Sequence, residues 1–304
     1  ELVPKLGQIF DEPFADTSLL PSVFISNFTK KHVSVALTGD GGDELFGGYN
    51  RYIFANRWWK IIDTLPVPVR RTFARAISIK MHIFSLFAEL HPNLLVGERY
   101  QTKATKICSA LTSIDASDLF CKLLCGATVG SEFLLGVNDP PNIELQLSST
   151  EDIAEQMMIA DIENYLSNNI LVKVDRSAMN TSLETRAPFL DANVFDIAWQ
   201  LPLNFKIQGS KGKLITRHIL NQHLPYDYIS SQKKGFGVPI NKWLRGPLKD
   251  WASDLIYCSN GVLDDSFDIP RIQKTWEAHQ SGSAQQGVLL WRFLMFQSWI
   301  ENQT

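Results

Sequence analysis

The stretch Val33-Ser-Val-Ala-Leu37, running into Thr38-Gly-Asp-Gly-Gly-Asp-Glu-Leu-Phe-Gly-Gly-Tyr49, decides the fold. Its first five residues are short, mostly apolar and β-branched, which predicts a buried strand ending in a tight loop. Upstream, Leu19–His32 carries apolar residues near helical spacing and closes on Lys30, Lys31 and His32, cations suited to a helix C-terminus. Downstream, Glu44–Trp59 resumes with apolar and aromatic residues, broken by Gly47-Gly48. Helix, strand, Gly-rich loop and helix in that order form an α/β unit with a parallel strand.

The rest of the chain reads as mainly helical. Periodicity near 3.6 residues runs through Val69–Leu90, Glu98–Leu111, Thr150–Asn169, Asn193–Leu201, Lys211–Leu224, Ile240–Ile256, Pro270–Gln280 and Gln285–Glu301. Gly126–Ser149 is turn-rich and predicts a loop. The 304 residues allow one large domain or two ordinary ones, and 45% hydrophobic residues against 20% charged provide a sizeable core. A net charge of −3 argues against a nucleic-acid binder. No uncharged apolar run reaches membrane-spanning length, so no membrane partner is expected. Four cysteines without zinc-type spacing read as thiols of a reduced cytoplasm, and the six scattered histidines do not suggest a metal site.

Three motifs carry chemistry. In the first, Asp40, Asp43 and Glu44 stand among Gly39, Gly41, Gly42, Gly47 and Gly48 at a strand's carboxyl end, where open α/β sheets bind ligands. Glycines there let backbone N–H groups face a ligand. Carboxylates repel phosphate, so an acid cluster beside a nucleotide calls for Mg²⁺ or a cationic partner. The second motif, Lys173–Asp191, alternates in sign at Asp175, Arg176, Glu184, Arg186 and Asp191; alone it reads as a salt-bridged helix face stopped by Pro188. The third, Gln232-Lys-Lys-Gly-Phe-Gly-Val-Pro239, is a basic loop able to reach a phosphate, or simply a surface turn.

Together these motifs resemble the synthetase domain of glutamine-dependent asparagine synthetases. The resemblance rests on Asp11-Glu-Pro-Phe-Ala-Asp16, the Thr38–Tyr49 loop, Asp175-Arg176 with Glu184-x-Arg186-x-Pro188-Phe-Leu-Asp191, and Lys233-x-Gly235-Phe-Gly-Val-Pro239. It implies an α/β fold with a partial parallel-sheet core of the adenine-nucleotide alpha-hydrolase-like (ATP pyrophosphatase) type, followed by a mainly helical C-terminal region. Residues 1–304 would then be one synthetase-type domain, with an α/β remnant over 1–60 and helices over 61–304. The implied reaction activates the aspartate side chain with ATP as an acyl-adenylate, which ammonia from glutamine converts to asparagine. The implied cofactors are ATP and Mg²⁺.

Position by position, the resemblance implies Mg²⁺ on Asp43, adenylate contacts at Thr38, Gly39 and Gly41, and charge stabilisation by Lys233, with Lys234 as its alternate. Asp40 stands where the family has a glutamate that handles ammonia attack, one methylene shorter. Asp175 is a second acid of the site, or an ion-pair partner. Arg186 and Asp191 are structural. A cytoplasmic protein and a homodimer are compatible expectations.

Two family parts are missing from the 304 residues: a glutaminase domain with an N-terminal cysteine, and a Ser-Gly-Gly-x-Asp-Ser loop. The expectation is a chain that enters the synthetase domain after its nucleotide loop and does not adenylate by itself. The alternatives are a relative acting on another carboxylate (a sugar acid, a peptide or a β-lactam precursor) and a non-catalytic truncated paralogue.

Overall fold

The computed structural model describes residues 2–90, 107–125, 130–137, 152–225, 237–257 and 265–303. The fold is mainly helical with one small parallel sheet. Helix α1 (Leu19–Lys30) leads into strand β1 (Val35–Leu37). Asp16 starts the helix, accepting from the Ser18 N–H and hydroxyl, each at 2.8 Å. Strand β2 (Glu184–Arg186) pairs parallel with β1, placing Val35 opposite Glu184 and Leu37 opposite Arg186. The ladder continues at both ends, from Glu184 N–H to Ser34 O at 3.0 Å and from Thr38 N–H to Arg186 O at 2.8 Å.

β2 lies where charge alternation predicts a helix face. The helix before it, α2 (Val172–Met179), ends at Met179, and Ser182 turns the chain with φ of 57°. Glu-Thr-Arg then alternates with period two, and backbone pairing to β1 outweighs the local i,i+4 charge pattern, worth only about 0.2–0.5 kcal/mol per pair. The sheet thus draws its second strand from far beyond residue 60. The two α–β units lie side by side. Lys173 on α2 reaches Asp16 Oδ2 at 2.9 Å and Ser18 Oγ at 2.7 Å, tying the starts of α1 and α2 together.

Elsewhere the helical pattern agrees with the sequence. Val67–Leu90, Ile269–Ser281 and Gly287–Glu301 are single helices. Ile240–Ile256 divides at Gly246-Pro247 into Ile240–Leu244 and Lys249–Tyr257, as a proline inside a helical run dictates. The Thr150–Asn169 run begins at Ile153, capped by Asp152 accepting from the Ala154 N–H at 3.0 Å. It widens into π-helical turns over Asp161–Leu171 before α2. Most of Glu98–Leu111 and Gly126–Ser149, and both Lys233 and Lys234, lie outside the described residues.

Helix α3 (Gly287–Glu301) buries Leu289, Leu290, Trp291, Phe293, Leu294 and Met295 against Leu6, Phe10, Val23 and Trp276. A helix apolar all round must be packed on all sides. A second core gathers Tyr52, Trp59, Phe120, Met157 and Met158. A third, small one sits beneath the glycine loop, where Leu45, Phe46 and Ala198 meet Phe189 and Phe195.

Candidate active site

The loop after β1 is shaped by contacts its glycines permit. Gly41 stands at φ of 85°, and a Cβ there would collide with the Leu190 side chain. Gly42 packs on the Phe189 ring, so the turn after β2 (Pro188–Leu190) braces the loop after β1. Asp191 caps the helix that follows, accepting from the Asn193 N–H at 2.9 Å; it starts Ala192–Gln200 and does not end α2. Arg186 pairs with Glu184 at 2.8 Å on an exposed stretch.

Thr38, Gly39, Asp40, Gly41 and Asp43 come together at the carboxyl end of β1. The Thr38 hydroxyl oxygen is buried without a hydrogen-bond partner, and open space lies in front of Gly39. A buried orphan hydroxyl is costly unless something else satisfies it. Asp40 and Asp43 are half-buried. Asp43 forms an ion pair with Lys213 Nζ at 2.9 Å, a residue that sequence reading missed.

That pair is closely built. Lys213 N–H donates to Phe46 O at 3.0 Å, inside the loop segment. A Cβ on Gly48 would fall on Asp43 Oδ1 and on the Lys213 stem, and one on Gly212 would fall on Gly47 O. Lys213 itself is left-handed, φ 58°, which costs a non-glycine residue about 1–2 kcal/mol. A pair 30% and 22% exposed returns about 0–1 kcal/mol. The strain therefore exceeds what the ion pair repays.

Behind the loop stands a second network. Glu44 is buried and accepts from the Tyr49 hydroxyl at 2.6 Å. The Arg51 guanidinium lies 4.0 Å above the Tyr49 ring and pairs with Asp161 at 2.6 Å. The Tyr52 hydroxyl also donates to Asp161. Burial pushes the Asp161 carboxyl up to about 6, ahead of the opposing pull of Arg51 and Tyr52. Burial likewise pushes the Tyr49 hydroxyl up, reinforced by Glu44. At Asp16 burial raises the carboxyl, but Lys173 and the Ser18 hydrogen bonds together bring it below its usual range. Sequence signals for this network were slight: Asp161 is one acid closing the apolar run Met157-Met158-Ile159-Ala160.

Asp175 is exposed on α2, and its neighbour Arg176 pairs with Asp11 at 2.9 Å. No group of three or more His, Cys, Asp or Glu able to cage a metal occurs among the described residues. Mg²⁺ carried on a nucleotide needs only one or two carboxylates, with phosphates and water filling the rest of its octahedron. Asp43, a half-buried carboxylate, fits that requirement.

An acidic, glycine-rich loop at the carboxyl end of a parallel strand defines the class: an α/β protein, a class whose open sheets bind ligands at their strand ends. A family model described as asparagine synthase matches residues 1–301. A Mycobacterium tuberculosis protein provisionally named a glutamine-hydrolysing asparagine synthetase is 33% identical over 98% of this chain and 44% of its own length. The Bacillus subtilis asparagine synthetase [glutamine-hydrolyzing] 1 is 29% identical over 98% of this chain and 45% of its own. The chain belongs to the asparagine synthase family. It spans less than half the length of these relatives, corresponding to their C-terminal portion. No described helix is long and apolar enough to cross a membrane.

Proposed function

We propose that this chain is the synthetase portion of an enzyme that amidates the aspartate side chain. ATP activates the carboxylate as an acyl-adenylate with release of diphosphate, and ammonia from glutamine displaces AMP. The carrying observation is the Thr38–Asp43 loop, where an orphan hydroxyl, an open glycine and two half-buried acids share one strand end. Its parallel setting accords with an ATP-pyrophosphatase-type core, a fold this reading adopts.

Thr38, Gly39 and Gly41 border the adenylate, and Lys234 is the alternate to Lys233 on its phosphate. Asp43 would hold Mg²⁺, whose charge would offset that of the diphosphate. Lys233 stabilises the α-phosphate in the transition state, and Asp40 handles the proton of the attacking ammonia. Asp175, exposed on α2, is the second acid of the site in this reading. Positioning and charge neutralisation dominate such chemistry.

The test is the full-length protein given aspartate, ATP, Mg²⁺ and ¹⁵N-labelled glutamine. Labelled asparagine with AMP and diphosphate in equal amounts is expected. ADP and phosphate as products, or label on a sugar-acid or peptide carboxylate instead, would sink the reading. Lys233→Ala should lower synthesis by about 10²–10³ while glutamine hydrolysis persists. Equal loss of both activities would point to misfolding.

A further inference from the structure

Residues 57–79 hold five cations, Arg57, Lys60, Arg70, Arg71 and Arg75, against one acid, Asp63, in a chain whose net charge is −3. The helix Val67–Leu90 packs inward through Arg70 and Ala74, four residues apart, with the Arg70 guanidinium 5.6 Å over the Trp59 ring. The opposite side of its first three turns faces water. Ala76 and Ile79 lie along the middle of that side, Val69 and Phe73 along one edge, and Arg71 and Arg75 along the other. Phe73 is 55% and Ile79 61% exposed. Arg71 and Arg75 enter no ion pair among the described residues. The turns before this helix repeat the mixture: Trp58 and Ile61 are exposed, and Arg57 and Lys60 are exposed beside them in sequence. Lys60 meets Asp152 only at 4.0 Å.

We propose that this segment docks the protein on an anionic phospholipid surface, with the helix lying flat in the interface. Val69, Phe73 and Ile79 enter the boundary between headgroups and acyl chains, and the Arg71 and Arg75 guanidinium groups reach lipid phosphates from the helix edge. Each cation near an anionic leaflet raises partitioning about fivefold, so a few of them with a small apolar face suffice. A protein partner fits this face less well, because the dry core of a protein interface is depleted of charge. The expectation of no membrane partner rests on spanning length, which a helix lying in the interface does not need. The proposal does not depend on the amidation reading.

The experiment uses the full-length protein with vesicles of phosphatidylcholine, either alone or with an equal part of phosphatidylglycerol. The protein should sediment with the anionic vesicles only, and less as salt rises. Arg71→Glu combined with Arg75→Glu should weaken that binding at least about tenfold. Phe73→Ser combined with Ile79→Ser should weaken it about tenfold and leave its salt dependence in place. Both double variants should unfold at the wild-type temperature, because all four side chains face water. Absence of sedimentation with anionic vesicles overturns the proposal, and so does equal sedimentation with neutral ones. Binding that either double variant leaves unchanged overturns it too, since the contact then lies elsewhere. A lower unfolding temperature in the Phe73, Ile79 variant would show that the rest of the protein covers this face, and a wild-type dimer dissolved by that variant would show that a second copy does; each outcome sinks the lipid assignment.

Discussion

Helix α3 and strand β1 are both strongly apolar, yet one is enclosed and the other is bare. On α3, Trp291, Leu290 and Leu294 have no exposed surface. On β1, Leu37 is 75% exposed, and Phe24 and Phe28 of the preceding helix are 66% and 63% exposed. A helix can be enclosed by other helices of its own chain, whereas a parallel sheet needs layers on both faces, and two strands alone are marginal. The contrast teaches that the helical body is enclosed by residues of this chain itself, whereas β1 and the outer face of α1 stay exposed in a chain that spans less than half the length of its relatives. The loop keeps its shape through its neighbours: Leu190, Phe189, Lys213 and the small core around Leu45.

The comparison can be broken most directly at its enclosed end. Trp291→Ala should cost about 3–5 kcal/mol, read from urea unfolding. A loss below about 1 kcal/mol would mean that α3 is not the centre of the closed core.

The next largest effect concerns the buried pair behind the glycine loop. Arg51→Met strands Asp161 and should cost about 3 kcal/mol at neutral pH, less in acid where Asp161 takes a proton. The wild type carries a related pH signature. Burial pushes the folded Asp161 carboxyl up to about 6, from 3.8, so the folded state binds the extra proton between those values. Stability from this group falls as pH rises from about 4 to about 6. Asp16 has the opposite sign: its carboxyl is lowered, so its contribution is present above its unfolded value and lost as pH falls through the folded one. Asp161→Asn should flatten the first slope and leave the second; two unchanged slopes would show that the burial effect is offset.

Gly48→Ala sharpens the comparison at the loop. The added methyl must displace Asp43 or Lys213, with a stability cost of about 1–3 kcal/mol and a larger loss of Mg²⁺-dependent diphosphate binding. Binding unaffected by the substitution would place the ligand elsewhere. Phe24→Ser should have the smallest effect, within about 0.5 kcal/mol in this chain, because the ring is already in water. A loss of 2 kcal/mol would show that the face is covered after all.

Much of the architecture is legible locally. Leu19–Lys30 and the terminal helix follow from periodicity and Val35–Leu37 from a short apolar run with a clear stop, although the burial expected of that strand is not found, Val35 and Leu37 being exposed. The acidic glycine loop is legible for the same reason: its residues are contiguous. β2 is not, because three residues of alternating charge carry no strand signal until β1 lies beside them. Lys213 and Arg51 are equally silent, lysine and arginine being ordinary surface residues until Asp43 and Asp161 face them.

By itself, then, the sequence determined the class, the parallel strand and the acidic glycine loop from Thr38 to Asp43 that follows it. Only the tertiary structure decided which cation answers Asp43, which strand completes β1 and which acid is buried far enough to hold a proton near pH 6. The reason is physical. Helix periodicity and glycine turns are short-range properties of the chain, whereas ion pairing, strand register and desolvation depend on partners that in these three cases are more than a hundred residues away.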